Sequence, residues 1–239
     1  MFLEDLKRSI ELDAEKDFRK PSQYYKPSSM NCIRNMYYQR IGADVESFGA
    51  NYVNVGIVNS GSDIHVRIQK AIEDMSNNGI DCTYVDVADY IKEHKLNYLK
   101  VVSKQGMETK LRHKNLLLSF LTDGIIKYKD EYYILEVKTE VSSKFWRRDS
   151  VDQYHYMQAT AYAESFGIDN VIFIYISRDT LDMKSYMLHV TDEMKEELIG
   201  RIEECEEYVK RNMLPLKPKD VDKRTCQYCN YLKLCRRDG

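Results

Sequence analysis

Residues 121–138 constrain the fold of this chain more than any other segment. Two apolar runs flank a Lys-Asp pair typical of a tight hairpin. Asp123 stands where the first run gives way to a glycine, and Glu136 and Lys138 are two residues apart in the second run, so they point to the same side of a strand. The hairpin brings Asp123 back alongside Glu136. The sequence therefore predicts that two carboxylates and an ammonium group converge.

This convergence indicates a particular chemistry. Two facing carboxylates repel each other unless a cation lies between them, and hard oxygen ligands suit Mg²⁺ or Mn²⁺. A bound metal lowers the pKa of a water molecule, and a nearby lysine orients that water or stabilises developing charge. The arrangement suits phosphodiester hydrolysis. The alternative is that Glu136 and Lys138 form the solvated face of an edge strand.

The order of predicted elements places the chain in the α/β or α+β class, with a mixed central sheet flanked by helices. A helix with Ile64, Ile68 and Ile72 at helical spacing is predicted to begin after Gly61. The remaining predicted elements are strands at 108–113, 116–127 and 131–139, a helix at 150–166, strands at 171–177 and 185–190, and a helix at 191–211.

Two further motifs lie on either side of this hairpin in the sequence. Gly61 and His65 form a G-x-x-x-H motif before it, and Gln158 and Tyr162 form a Q-x-x-x-Y motif after it. With the Asp…Glu-x-Lys pattern, these residues resemble the RecB-like branch of the PD-(D/E)XK nuclease superfamily. One departure is visible, because residues 120–122 are Phe-Leu-Thr where family members usually carry a glycine.

The resemblance implies a role for each matching residue. His65, Asp123 and Glu136 would bind Mg²⁺ or Mn²⁺, with the Val137 carbonyl contributing, and Lys138 would position the nucleophilic water. The substrate would be supported by Gln158 and Tyr162, which lie on the helix predicted at 150–166. Family members often carry a glutamate at the start of the first strand, which makes Glu108 a further candidate.

The cysteines form a second constellation. Cys226, Cys229 and Cys235 are spaced C-x₂-C-x₅-C, and Cys32 is the best candidate for a fourth ligand. One N-terminal and three C-terminal cysteines resemble the CRISPR-associated Cas-four-type exonucleases and the AddB-type nuclease domain, which implies a 4Fe-4S cluster. Zinc suits four thiolates equally well by ligand chemistry. Two cysteines outside the pattern are expected to be free thiols, Cys82 and Cys205.

A basic and aromatic segment between the hairpin and the Gln158 helix predicts the form of the substrate. Lys144, Trp146, Arg147 and Arg148 combine phosphate-binding cations with a base-stacking ring, as in proteins that grip single strands without reading sequence. The net charge of −2 does not exclude DNA binding, because a local basic stripe decides it. We expect single-stranded DNA or frayed ends to be preferred. The alternative is that Trp146 packs in the core.

Together these features predict a metal-dependent DNA exonuclease with a structural 4Fe-4S cluster; the alternative is a catalytically idle DNA-binding scaffold of a recombination or CRISPR-adaptation complex. Without a P-loop motif for unwinding, a helicase or a recombination or adaptation protein is an expected partner. The longest apolar run has six residues and the N-terminus lacks a secretory pattern, which predicts a cytoplasmic protein without membrane contact. We expect one nuclease domain over 1–239, with a charged extension at 1–27, an iron–sulfur region from 28–60 and 212–239, and a core at 61–211.

Overall fold

A computed structural model describes residues 2–16, 21–45, 51–219, 221–227 and 229–238. The predicted N-terminal extension and iron–sulfur region therefore fall partly outside the described residues, at 1, 17–20, 46–50, 220, 228 and 239. The helices are α1 (Phe2–Lys16), α2 (Ile33–Arg40), α3 (Tyr52–Glu73), α4 (Val87–Glu93), α5 (Ser142–Phe145), α6 (Tyr156–Phe166), α7 (Asp192–Lys210), α8 (Lys223–Gln227) and α9 (Leu232–Arg237). The strands are β1 (Cys82–Val85), β2 (Leu99–Gln105), β3 (Glu108–His113), β4 (Leu118–Thr122), β5 (Gly124–Tyr128), β6 (Glu131–Glu140), β7 (Asn170–Ser177) and β8 (Met183–His189).

The main sheet is mixed and five-stranded, in the order β1-β5-β6-β7-β8. Only the β6–β7 pair is parallel, because α6 carries the chain back to the starting edge between them, and the other pairs are antiparallel. Buried side chains of α3 and α6 cover opposite faces of this sheet. The prediction of a mixed central sheet flanked by helices is confirmed.

A second sheet has three antiparallel strands, in the order β2-β3-β4. The predicted strand 116–127 is wrong as one element, because it consists of two strands that belong to different sheets. β4 pairs with β3, and β5 pairs with β1 and β6. Asp123 is the residue between β4 and β5, so it lies where the chain passes from one sheet to the other.

The helix predicted to begin after Gly61 begins at Tyr52, where the side chain of Asn51 accepts a hydrogen bond from the Val53 amide. Gly61 lies inside α3, facing β6. A Cβ atom there would stand 3.3 Å from the hydroxyl oxygen of Thr139, which is tighter than usual contacts. The glycine therefore allows α3 to approach β6 closely. None of the described helices combines the length and apolar character needed to cross a membrane.

Candidate metal and catalytic site

Asp123 is held rigidly at the junction of the two sheets. Its carboxylate oxygen Oδ2 accepts a hydrogen bond of 2.7 Å from the buried amide of Val137 on β6. The next residue, Gly124, has a φ of +145°, a conformation that side-chain-bearing residues rarely adopt. The local backbone thus turns Asp123 towards β6, and its second oxygen, Oδ1, faces His65.

Helix α3 brings His65 to the same point. The imidazole Nδ1 lies 3.3 Å from Oδ1 of Asp123 and 3.8 Å from Oε1 of Glu108 at the start of β3. One helical turn later, the side-chain amide of Gln69 donates a 3.2 Å hydrogen bond to the backbone carbonyl of Asp123, which fixes α3 against the junction. Ligand atoms of His65, Glu108 and Asp123 lie within 4.8 Å of one another. One imidazole and two carboxylates in this arrangement suit a small divalent cation.

The electrostatics of this group reflect crowded negative charge. Burial acts to lower the pKa of His65, but the hydrogen bond and charge of Asp123 outweigh it and raise that pKa. Burial, followed by the charge of Asp123, raises the pKa of Glu108. Burial likewise raises the pKa of Glu136 to about 7, in spite of the opposing charge of Lys138. A cation at this point would lower all three pKa values, because it stabilises the ionised carboxylates and the neutral imidazole.

Glu136 begins a chain of hydrogen bonds that runs to α6. The Lys138 ammonium donates to Oε1 of Glu136 at 2.5 Å and to Oε1 of Gln158 at 3.0 Å. The Gln158 amide donates to the same Glu136 oxygen and to the Tyr162 hydroxyl, each at 2.8 Å, and that hydroxyl donates to the Leu121 carbonyl at 2.8 Å.

The two ends of this chain fix its direction. The Leu121 carbonyl can only accept, so Tyr162 donates to it and accepts from the amide nitrogen of Gln158. The Gln158 oxygen must then face Lys138, which can only donate. The structure thus brings together the predicted residues from the hairpin and from the Q-x-x-x-Y motif. Glu136 does not belong to the group of His65, Glu108 and Asp123 whose ligand atoms lie within 4.8 Å of one another, but its carboxylate interacts electrostatically with His65 and Asp123.

Val137 contributes to the site through its main chain. Its side chain is buried in the core between β6 and α3, and its amide donates to Asp123. A role of its carbonyl as a metal ligand stays a prediction.

The basic segment 144–148 is divided between two environments. Lys144 and Arg148 bind the buried carboxylate of Glu140 at 2.7 and 2.5 Å, and Arg148 also stacks 4.0 Å from the ring centre of Tyr175. These two cations therefore serve the protein's own packing. The other two predicted DNA-binding residues are exposed, Trp146 and Arg147. The Trp146 ring is 58% exposed, so it does not pack in the core.

The four predicted cluster ligands line one cavity of about 130 Å³. Two neighbouring side chains on α2 donate to their sulfurs at 3.4 Å, Arg34 to Cys235 and Asn35 to Cys229. Burial raises the pKa of Cys32, and it raises that of Cys229 to about 11, with further contributions from the other thiols. Donors aimed at sulfur, around thiols that are costly to ionise alone, fit a thiolate-bound metal group.

Sequence reasoning missed Gln69 and assigned only a secondary place to Glu108. Gln69 lies four residues after His65, so the two share a helix face, and that spacing was the available signal. Glu108 comes into reach because β3 pairs with β4, which ends one residue before Asp123.

The fold and the site define a mixed α/β protein with a candidate divalent-cation site where its two sheets meet. The crystal structure of SSO0001 is similar over 98% of this chain and 96% of that one, with a TM-score of 0.50 and 16% identity, which shows a shared fold. An alkaline exonuclease from Laribacter hongkongensis is similar over 80% of this chain and 94% of its own, with a TM-score of 0.43 and 14% identity. The same enzyme in complex with dAMP has a TM-score of 0.42 and 12% identity over 80% and 93% of the two chains. No protein-family model and no curated protein matches the chain.

Proposed function

We propose that this chain is a metal-dependent DNA nuclease of the RecB-like PD-(D/E)XK type, which hydrolyses phosphodiester bonds with Mg²⁺ or Mn²⁺. One observation carries the proposal. The ligand atoms of His65, Glu108 and Asp123 lie within 4.8 Å of one another, and a buried carboxylate, Glu136, interacts electrostatically with two of them and is bonded to the Lys138 ammonium. Cation ligands and a positioned ammonium are the two parts that phosphodiester hydrolysis needs.

The side chains divide this work. His65, Glu108 and Asp123 would hold the divalent cation, with Glu136 as a further ligand. When bound, the cation polarises the phosphoryl oxygen and lowers the pKa of a bound water. Lys138 orients the attacking water and places positive charge where negative charge develops on the phosphate.

Gln158 and Tyr162 keep Lys138 in place during this step. The Gln158 oxygen accepts from the ammonium, and the buried Tyr162 hydroxyl fixes the Gln158 amide. Burial raises the pKa of Tyr162 well above its usual value, so the hydroxyl stays protonated and acts as a hydrogen-bonding group only.

The cysteine cavity supports a second part of the proposal, a structural 4Fe-4S cluster bound by Cys32, Cys226, Cys229 and Cys235. A single tetrahedral zinc ion holds its sulfurs about 4 Å apart, given Zn–S bonds of about 2.3 Å. The same four thiolates lining one cavity also suit zinc, so analysis of iron, acid-labile sulfide and zinc in the purified protein decides between the two groups.

The exposed Trp146 and Arg147 support a preference for single-stranded DNA or frayed ends, because an exposed ring stacks on unpaired bases and an arginine contacts phosphate. We include exonuclease action in this proposal. Unwinding would then come from a helicase or from a recombination or adaptation partner.

The proposal is tested with end-labelled single-stranded and duplex oligonucleotides in Mn²⁺, Mg²⁺ or chelator. We expect cleavage by the wild type with either metal, none in chelator, and none by Asp123→Asn. The matched control is Asp130→Asn, which changes a hairpin aspartate whose side chain is 92% exposed and should cleave like the wild type. DNA binding without cleavage in Mn²⁺ would establish the idle scaffold instead, and cleavage in chelator would exclude metal dependence.

A further inference from the structure

The exposed face of β3 begins at the candidate metal site and continues with positive charge. Along β3, the buried residues Thr109, Leu111 and His113 alternate with Glu108, Lys110 and Arg112, which share the opposite face. Glu108 belongs to the metal group. At about 3.4 Å per residue, Lys110 lies about 7 Å and Arg112 about 14 Å further along the strand.

This face forms one wall of a large groove that adjoins the site. The groove has a volume of about 1080 Å³, and its lining includes Lys110 and Arg112 as well as Gln158 and Tyr162 of the catalytic hydrogen-bond chain. Among the described residues, the lining contains three cations and no carboxylate. In a chain with more acidic than basic residues, such a surface favours an anionic occupant.

The two β3 cations are not neutralised by the protein. Within the described ranges, neither Lys110 nor Arg112 forms an ion pair with a carboxylate. The Arg112 guanidinium lies over the Tyr24 ring, 4.8 Å from its centre, and its buried Nε has no hydrogen-bond partner among the described residues. Aromatic support, not a protein acceptor, positions this cation. Its charge therefore remains available to a ligand.

The groove also offers surface for bases. Leu121, the cross-strand partner of Lys110, is 47% exposed between Lys110 and Asp123, and Tyr24 lines the groove at the far end. Cations in a row with apolar and aromatic surface beside them are the features with which proteins bind an unpaired strand. A duplex buries its base faces and cannot use that surface.

We infer that the groove along β3 is the track that guides a single DNA strand to the metal site, with Lys110 and Arg112 each binding a backbone phosphate. This inference rests on the proposed nuclease function and adds the path of its substrate. For a strand stacked at about 3.4 Å per nucleotide, the two cations lie roughly two and four nucleotides from the metal site. Short substrates that do not reach Lys110 would gain nothing from the track.

The test measures binding of a fluorescent single-stranded oligonucleotide in chelator, across a range of salt concentrations. Lys110→Ala and Arg112→Ala should each weaken binding roughly fivefold at low salt, and each should reduce the slope of log K against log[salt] by about 0.7. Lys110→Arg should restore both quantities. Lys210→Ala is the matched control, because Lys210 is an exposed lysine at the end of α7, outside the groove lining, and should behave like the wild type.

A second measurement separates this inference from the nuclease proposal. With Mn²⁺, we expect Lys110→Ala to lower kcat/KM more for a long oligonucleotide than for a dinucleotide. Unchanged salt slopes in both alanine variants, with wild-type melting temperatures, would overturn the track while leaving the nuclease proposal in place. Absence of all cleavage by the wild type would instead overturn the nuclease proposal, and salt-slope changes that persist there would still support the track.

Discussion

The hydrogen bond between Asp123 and the Val137 amide gives Asp123 a structural role that can be measured apart from catalysis. The informative comparison is between Asp123→Asn and Asp123→Ala. Both variants remove the negative charge and should abolish cleavage. Asparagine keeps an oxygen that can accept from the Val137 amide, and its NH₂ group can donate to His65 Nδ1, which lies 3.3 Å from the present oxygen. Alanine can do neither.

The magnitude follows from burial. The Asp123 side chain is 9% exposed, so water cannot replace the lost acceptor easily. An unsatisfied buried amide costs about 1–3 kcal/mol. For a chain of this length, 1 kcal/mol shifts the melting temperature by about 2–4 °C, so Asp123→Ala should melt roughly 4–8 °C below Asp123→Asn for a loss of about 2 kcal/mol. Repulsion between Asp123 and Glu136 is absent from both variants and cancels in the difference.

The assay is thermal unfolding of both variants by circular dichroism in chelator, together with cleavage of an end-labelled oligonucleotide in Mn²⁺. Melting temperatures within 1 °C of each other would show that Asp123 does not support the Val137 amide. Turnover by Asp123→Asn at the wild-type rate would show that the carboxylate is not a metal ligand, and the assignment of the site would fail with it.

Three further predictions concern other parts of the molecule. Lys138→Met should lower kcat at least about 100-fold while Mn²⁺ still binds, because the three ligands His65, Glu108 and Asp123 do not bond to Lys138. Turnover and metal titration measure the two effects, and equal activity would refute the role of Lys138. Cys32→Ala should lose the four irons and labile sulfides of the proposed cluster and up to about 5 kcal/mol of unfolding free energy. The control Cys82→Ala changes a buried cysteine outside the cavity and should keep its iron. Stoichiometric zinc without sulfide in the wild type would identify a zinc site. Burial lowers the pKa of His113 to about 4, so the unfolded chain takes up a proton before the folded chain does as the pH falls below about 6.5. Protonation of this group should therefore lower the free energy of unfolding by about 2 kcal/mol between pH 7 and pH 5. Urea unfolding of His113→Phe should show a smaller loss over that range, and an equal loss would exclude this cause.

Local pattern predicted the elements that carry the chemistry better than it predicted their connections. β3 has the predicted bounds, and the hairpin brings Asp123 and Glu136 together as expected. The break between β4 and β5 was missed although Asp123-Gly124 is a dipeptide typical of turns, because apolar, β-forming residues lie on both sides of that pair. Which sheet each half joins depends on long-range pairing, such as the pairing of β4 with β3, and no local pattern encodes it.

Two other differences have tertiary causes. Gly61 was taken as a helix boundary because glycine is a poor helix former, yet close packing of α3 against Thr139 requires it inside the helix. The ion pairs of Lys144 and Arg148 could not be predicted from the sequence, because their partners come from separate elements. Glu140 lies at the end of β6 and Asp152 precedes a 3-10 turn. The four charged residues are therefore spaced four apart in the sequence without belonging to one helix.

The same Asp152 connects the cysteine region to α6, the helix that carries Gln158 and Tyr162. Its carboxylate accepts a 2.7 Å hydrogen bond from Arg224, which lies two residues before the first C-terminal cysteine, and it accepts the amide of Tyr154 in the turn that leads into α6. Asn31, the neighbour of the N-terminal cysteine, donates to the carbonyl of Tyr154 in that same turn. Both halves of the cysteine region therefore hold the start of α6, less than one and a half helical turns before Gln158. Since the Gln158 side chain bridges Glu136 and Lys138, a shift of this turn would change the position of both partners. In the proposed nuclease, the cysteine region would influence the chemistry by positioning α6, and a group bound there would not need to exchange electrons to matter for activity.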